Sequence, residues 1–180
     1  MGPLSPTLSY LGDLRPAFVS NFALRLVDAI CEETQAHADR LGILAPSRTH
    51  SAILFLHRQG PATLSEIARI DDQSHQLVSA RFAPLEQLGL IERFDDPVDG
   101  RRKPYRLTPT GRADAKLIEA ATVREAEVMR RLFEEMGQDL VAALEEAIER
   151  LRVKPFSRRL LEVGPVEIED PGQALETTHD

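Results

Sequence analysis

The sequence holds a single cysteine, Cys31, no tryptophan and only two tyrosines. One thiol cannot build an internal disulfide framework, which fits a reducing compartment. No apolar run approaches the ~20 residues that a membrane-spanning helix needs. Met1 to Ser9 lacks the basic start and apolar stretch of a secretory signal. A cytoplasmic location without membrane contact is therefore expected. The histidines are His37, His50, His57, His75 and His179, and none pairs with another at i, i+4. With no cysteine pair either, metal-ligand spacing is missing; a helical set drawn from Cys31, Glu33 and His37 is the nearest approach to it. There is no Gly-rich phosphate loop and no Gly-x-Ser-x-Gly elbow. These gaps leave no residues to carry catalysis, a metal or a cofactor, and the expectation is a protein that is not an enzyme.

What is present begins with charge. The net charge is −7, which on its own argues against a polyanionic partner. Its distribution changes the argument. Pro46 to Arg112 carries ten Lys and Arg against eight Asp and Glu, a net +2. The remainder carries twelve against twenty-one and stands at −9. The middle of the chain is electrostatically unlike its ends.

Met1 to Arg15, with Pro3, Pro6, Gly2 and Gly12, reads as a flexible arm without a core of its own. Pro16 then suits the first turn of a helix. Val19, Phe22, Ala23, Leu26, Val27, Ile30 and Leu41 mark one stripe of a long helix over 17–41. A second helix opens at Pro46 and buries Ala52, Ile53 and Leu56. Gln59-Gly60-Pro61 ends it. Thr63-Leu64-Ser65-Glu66 is a capping box for a short third helix, Leu64 to about Ile70. Ser74 caps a fourth that runs toward Gln87, and Gly89 stops it. Two strands follow, Leu90 to Phe94 and Pro104 to Thr108, around the turn cluster Asp95 to Gly100 and the basic run Arg101-Arg102-Lys103. Thr108 and Pro109 start a fifth helix striped by Leu117, Ala121, Val128, Leu132 and Met136. Gly137 interrupts it, and Leu140, Leu144, Ile148 and Leu151 stripe another. Pro155 to Leu161 adds a short helical turn. Residues 162–180 carry six acidic residues and no Lys or Arg, the composition of a disordered tail.

The order of elements is that of a winged helix-turn-helix. Four pieces in sequence resemble the MarR family. They are Gly60-Pro61-Ala62-Thr63-Leu64-Ser65-Glu66-Ile67-Ala68, Leu85-Glu86-Gln87-Leu88-Gly89-Leu90-Ile91-Glu92-Arg93, Asp96-Pro97-Val98-Asp99-Gly100-Arg101-Arg102, and Leu107-Thr108-Pro109-Thr110-Gly111. Each is weak alone; their order and spacing make the signal. The resemblance implies a mainly α fold with a two-stranded β-wing, and long N- and C-terminal helices forming a dimerisation lobe. The domains are then a flexible arm at 1–15, a helical dimerisation region at 16–44 and 109–161, a DNA-binding domain at 46–108 and the acidic tail at 162–180. The implied function is a sequence-specific regulator of transcription on double-stranded DNA. It would act as a homodimeric, ligand-responsive repressor on a near-palindromic operator.

The residues support that reading independently. Stepping 100° per residue puts Val78, Phe82, Leu85 and Leu88 of the fourth helix on a core side. Gln76, Ala80, Ala83 and Gln87 fall opposite, with His75 and Ser79 near the N-terminal edge. A small polar face of this kind suits a major groove, where Gln76 can bond an adenine edge and Ala80 can touch a thymine methyl. Ser74 and the free amides beside it suit a phosphate. The bland alternative is an exposed amphipathic helix. In the wing, the resemblance gives Arg101 a minor-groove role with Asp99 bracing it, and Arg102 and Lys103 would take phosphates. The alternative is a solvated loop of routine ion pairs. Two features depart from the family. Ala80 stands where Arg is frequent, with Arg81 beside the core face and suited to a phosphate. Pro84 lies inside the helix, where a kink or a local break is expected.

The first and fifth helices, each about 25 residues or more and ~36–42 Å long, carry stripes that three short helices and a hairpin cannot cover. A second copy can, and a two-fold dimer sets its recognition helices ~34 Å apart. The resemblance also implies a small aromatic or phenolic effector. Cys31 reads either as a small buried side chain or as a redox-sensing thiol. A second function stays open: a winged-helix module for protein–protein contact without specific DNA binding. A third, the dimerisation part of an enzyme such as a methyltransferase, finds no room for a catalytic domain in this length.

Overall fold

The structure is a computed structural model that describes residues 8–96 and 99–165. Residues 1–7 of the expected arm, Pro97 and Val98 of the turn cluster, and 166–180 of the acidic tail lie outside the described residues. The chain divides into two compact units, Met1–Glu125 and Ala126–Asp180. Among the described residues no helix is long and apolar enough to cross a membrane.

The first unit opens with a 3-10 helix, Ser9–Phe18, that buries none of its residues. Helix α1 (Val19–Leu41) follows. The expected start at residue 17, with Pro16 in the first α-turn, is corrected: Pro16 lies inside the 3-10 segment, and the amide of Val19 still makes a 3-10 bond to its carbonyl. A second 3-10 turn, Ser47–Thr49, replaces the expected first turn of the next helix. Then come α2 (His50–Gln59), α3 (Leu64–Ile70), α4 (His75–Gln87), β1 (Ile91–Arg93) and β2 (Tyr105–Leu107). Helix α5 (Pro109–Met136) begins in this unit.

The local signals act as the sequence predicts. Thr63 Oγ1 accepts from the Glu66 amide at 3.3 Å, and the Thr63 amide donates to Glu66 Oε2 at 2.8 Å. At the end of α4, Gly89 takes φ +67, a left-handed conformation that costs glycine little. Its amide then donates to Glu86 and that of Leu90 to Leu85, which closes the last turn. Leu88 sits at this turn and is half exposed, so the expected core position at its end of the stripe is not filled. Helix α4 also runs through Pro84 without a break. Proline there removes only the bond to Ala80, while the Leu88 amide still donates to the Pro84 carbonyl at 3.0 Å.

The strands pair antiparallel, Ile91 with Leu107, Glu92 with Arg106 and Arg93 with Tyr105. The loop before α3 adds an unforeseen rung: Ala62 exchanges backbone hydrogen bonds with Tyr105 at 3.1 and 2.8 Å. The core gathers Ile53, Leu56, Ile67, Val78, Phe82, Leu85, Leu90, Ile91 and Ile118. Tyr105 seals it edge-on against Phe82, with ring centroids 5.1 Å apart. Asp114, buried in α5, accepts from the amides of Leu44 at 2.8 Å and Ala45 at 3.0 Å, and so fixes the loop between α1 and α2. Val19, Leu26, Val27 and Ile30 of α1 remain exposed.

The second unit holds the end of α5, then α6 (Leu140–Val153) and α7 (Phe156–Val163). Asp139 caps α6 by accepting from Val141 and Ala142. None of the unit's described residues is buried. The α6 stripe, Leu144, Ile148 and Leu151, faces solvent in the single chain.

Candidate nucleic-acid interface

The turn into α4 is set by Asp72, which takes φ +50, and by the Gln73 amide, which donates to Ala68 at 2.9 Å. The Ser74 hydroxyl then accepts from the Leu77 amide at 3.2 Å. This start, with Val78, Phe82 and Leu85 buried behind it, leaves Ser74, His75, Gln76 and Ala80 exposed and Ser79 half-buried. From Ser74 to Ala80 the exposed side chains are polar or small apart from Leu77, with no Lys, Arg, Asp or Glu among them, so the face offers donors, acceptors and a methyl to whatever it meets. Arg81 is half-buried and donates to Gln73 Oε1 at 2.9 Å. It braces the turn that precedes α4.

The hairpin is basic by sequence, yet most of its cations already have carboxylates. Arg106 bonds Glu92 at 2.8 Å, Arg93 lies 3.6 Å from Glu86, and Lys103 pairs with Asp95. Arg102 has two partners: Nη2 donates to Glu66 Oε1 on α3, and Nη1 donates to Asp96 Oδ2 at 2.9 Å. Hydrogen bonds from the Thr63 amide and hydroxyl, with the Arg102 charge behind them, hold the Glu66 carboxyl below the usual glutamate range. Asp99 braces Arg101 through the backbone, accepting from its amide at 3.0 Å. The Arg101 guanidinium is exposed and has no carboxylate partner among the described residues.

Sequence reasoning placed Ser74, His75, Gln76, Ser79, Ala80 and Arg81 on one helix and Asp99, Arg101, Arg102 and Lys103 on the hairpin, and the structure has them there. It did not find Glu66 and Asp96 as partners of Arg102. The dense run of acids at 95–99 beside the basic run at 101–103 was the available signal. Cys31 is half-buried, and its carbonyl accepts from the Ser47 hydroxyl. Among the described residues no three of His, Cys, Asp and Glu converge as a metal would require.

A model of the MarR family matches residues 42–102. Solved structures share the fold. The S. aureus MepR–DNA complex is 24% identical, with a TM-score of 0.56, and the match covers 74% of this chain and 97% of that one. The adhesin competence repressor AdcR of Streptococcus pyogenes is 19% identical, with a TM-score of 0.50 over 83% of this chain and 98% of its own. A MarR family transcription regulator of 21% identity reaches 0.50 over 87% and 99%. No curated protein matches the chain in sequence. The segment matched by the MarR family model begins just after α1 and includes α2, α3, α4 and β1, so the likeness to that family falls on the helix-turn-helix and the first strand of the hairpin.

Proposed function

We propose that the chain is a sequence-specific, double-stranded DNA-binding transcription regulator, a homodimer that acts on a near-palindromic operator. The observation that carries this is the pairing of two exposed features on one compact unit. One is the polar start of α4, without Lys, Arg, Asp or Glu; the other is the Arg101 guanidinium at the wing, which has no carboxylate partner among the described residues. In this reading Gln76 and Ala80 meet base edges, with His75 and Ser79 at the groove margin. Ser74 and the first amides of α4 take a phosphate, Arg101 enters the minor groove, and Lys103 trades Asp95 for a phosphate. MepR, which shares the fold, has been seen on DNA. Residues 46–108 form the DNA-binding part, and 16–44 with 109–161 the dimerisation part, where exposed apolar stripes on α1 and α6 supply the surface to be covered. A repressor relieved by a small aromatic or phenolic effector follows from the family resemblance.

Selection from a pool of random duplexes, followed by a salt titration, tests this. The expected result is a near-palindrome whose half-sites lie about 10 bp apart, bound with an affinity that falls steeply as salt rises. A folded dimer that enriches no sequence and shows no salt-dependent binding makes the winged unit a protein-contact module instead.

A further inference from the structure

We propose that Arg102 is a positioning residue: it ties the wing to α3 through Glu66 and thereby sets where Arg101 is presented. The proposal rests on the DNA-binding reading above and changes the role expected of Arg102, from phosphate ligand to strut.

The geometry forms a continuous chain of polar contacts. It begins at the Thr63 amide and hydroxyl, which donate to Glu66 Oε2 at 2.8 and 2.9 Å. The other oxygen of Glu66 accepts from Arg102 Nη2, 36 residues along the sequence. Arg102 Nη1 donates to Asp96 Oδ2 at 2.9 Å. Asp96 Oδ1 accepts the Asp99 amide at 3.3 Å, and Asp99 Oδ1 accepts the Arg101 amide at 3.0 Å. The backbone repeats the closure, with the Arg102 amide donating to the Asp99 carbonyl at 2.9 Å. Each link is made by a group that a previous link has oriented, so the cap of α3 and the backbone of Arg101 share one frame.

Competition points the same way. A phosphate at Arg102, whose side chain is 43% exposed, would compete with two carboxylates for its charge, one of them on Asp96, whose side chain is only 14% exposed. Lys103 has one carboxylate partner, Asp95, with side chains 56% and 77% exposed, and such a pair exchanges readily. The wing thus divides its neighbouring cations by partner: Arg102 held, Lys103 exchangeable, Arg101 open.

Glu66→Gln separates the two jobs of residue 66. Glutamine serves a capping box as glutamate does, so α3 keeps its start while the ion pair to Arg102 is lost. The full chain is titrated with the selected operator duplex over a series of salt concentrations. The variants are Glu66→Gln, Arg102→Met and the double. Amide exchange of Asp99 and Arg101 is followed in the free proteins. The strut predicts that each single variant weakens binding about five- to tenfold, that the double is no worse than either single, and that the salt slope stays as in the wild type. It also predicts faster exchange at both amides. A phosphate role for Arg102 predicts the opposite sign: Glu66→Gln frees the guanidinium and tightens binding, and Arg102→Met flattens the slope by about one unit. Either that result, or unchanged affinity in both single variants, overturns the strut while leaving the regulator standing. A wild-type chain that binds no duplex overturns both together.

Discussion

The first turn of α5 lies so close to Leu90 that a Cβ built on Gly111 would stand 1.9 Å from the Leu90 carbonyl oxygen. Elsewhere in a helix, replacing glycine by alanine gains about 0.5–1 kcal/mol. Here the sign reverses, because the obstacle is backbone that also receives the Thr108 amide at 3.0 Å. Gly111→Ala is expected to destabilise the fold by about 1–3 kcal/mol in urea denaturation. A variant as stable as the wild type would mean that α5 can shift away from the strand.

Asp114 makes a second link from α5, to the loop after α1. Both of its oxygens are occupied by backbone amides, and the residue is buried. Asparagine can accept only one of these bonds and turns an NH2 toward the other donor. Asp114→Asn is expected to lower stability by about 2–4 kcal/mol, measured by thermal or urea unfolding at neutral pH.

Two groups predict the pH dependence of stability. The Glu66 carboxyl is held below its ordinary value of 4.5 by Thr63 and Arg102. A lowered folded pKa contributes stability that is present above 4.5 and lost as pH falls through the folded value. The gap in urea midpoint between wild type and Glu66→Gln should close as the solution is acidified below that point. Burial pushes the Tyr105 phenol up from 10.0, so the unfolded phenol ionises first and the corresponding stability is lost as pH rises beyond that value. Tyr105→Phe should remove this alkaline loss and keep the ring against Phe82. A variant with the wild-type alkaline profile would assign the loss to another group.

Arg101 and Lys103 should fail in different ways. Arg101→Ala is expected to weaken operator binding by about 1–3 kcal/mol and to relax preference at the bases flanking each half-site. Lys103→Ala should weaken all duplexes alike and reduce the salt slope by about one unit. Filter binding to operator and scrambled duplexes at several salt concentrations distinguishes them; two variants that behave identically would contradict the division.

Ile30 is 37% exposed on α1, in a stripe with Leu26 and Val27. If a second chain covers that stripe, a carboxylate placed there is driven out of an apolar interface. Ile30→Glu should sediment as a folded monomer with an unchanged helical spectrum. A variant that remains dimeric moves the interface elsewhere.

The features legible in the sequence are those whose partners lie within a few residues. The Thr63–Glu66 box, the Ser74 cap, the Thr108–Pro109 start and the Gly89 stop each close locally, and helical periodicity assigned Val78, Phe82 and Leu85 to the core. The same count overran at Leu88, because it does not register that the chain has already turned. What was not legible depends on distant pairing. Asp114 meets an amide 70 residues away, Arg102 meets a carboxylate 36 residues away, and Ala62 finds Tyr105 only once the hairpin exists. Composition also overstated the wing, since a run of cations reads as open charge until its acids are located.

Thr108 ends the hairpin with one hydroxyl, which donates to the Gly89 carbonyl at 2.7 Å and accepts the Gly111 amide at 3.0 Å. Its amide, bonded to Leu90, shuts the base of the loop from the other side. A loop closed at its neck answers to length only logarithmically: doubling it adds about 0.6 kcal/mol of closure entropy. Residues inserted at the far end would therefore leave the three-helix core and the start of α5 almost undisturbed. The reach of the hairpin is an adjustable dimension of this fold, independent of the packing that keeps it folded.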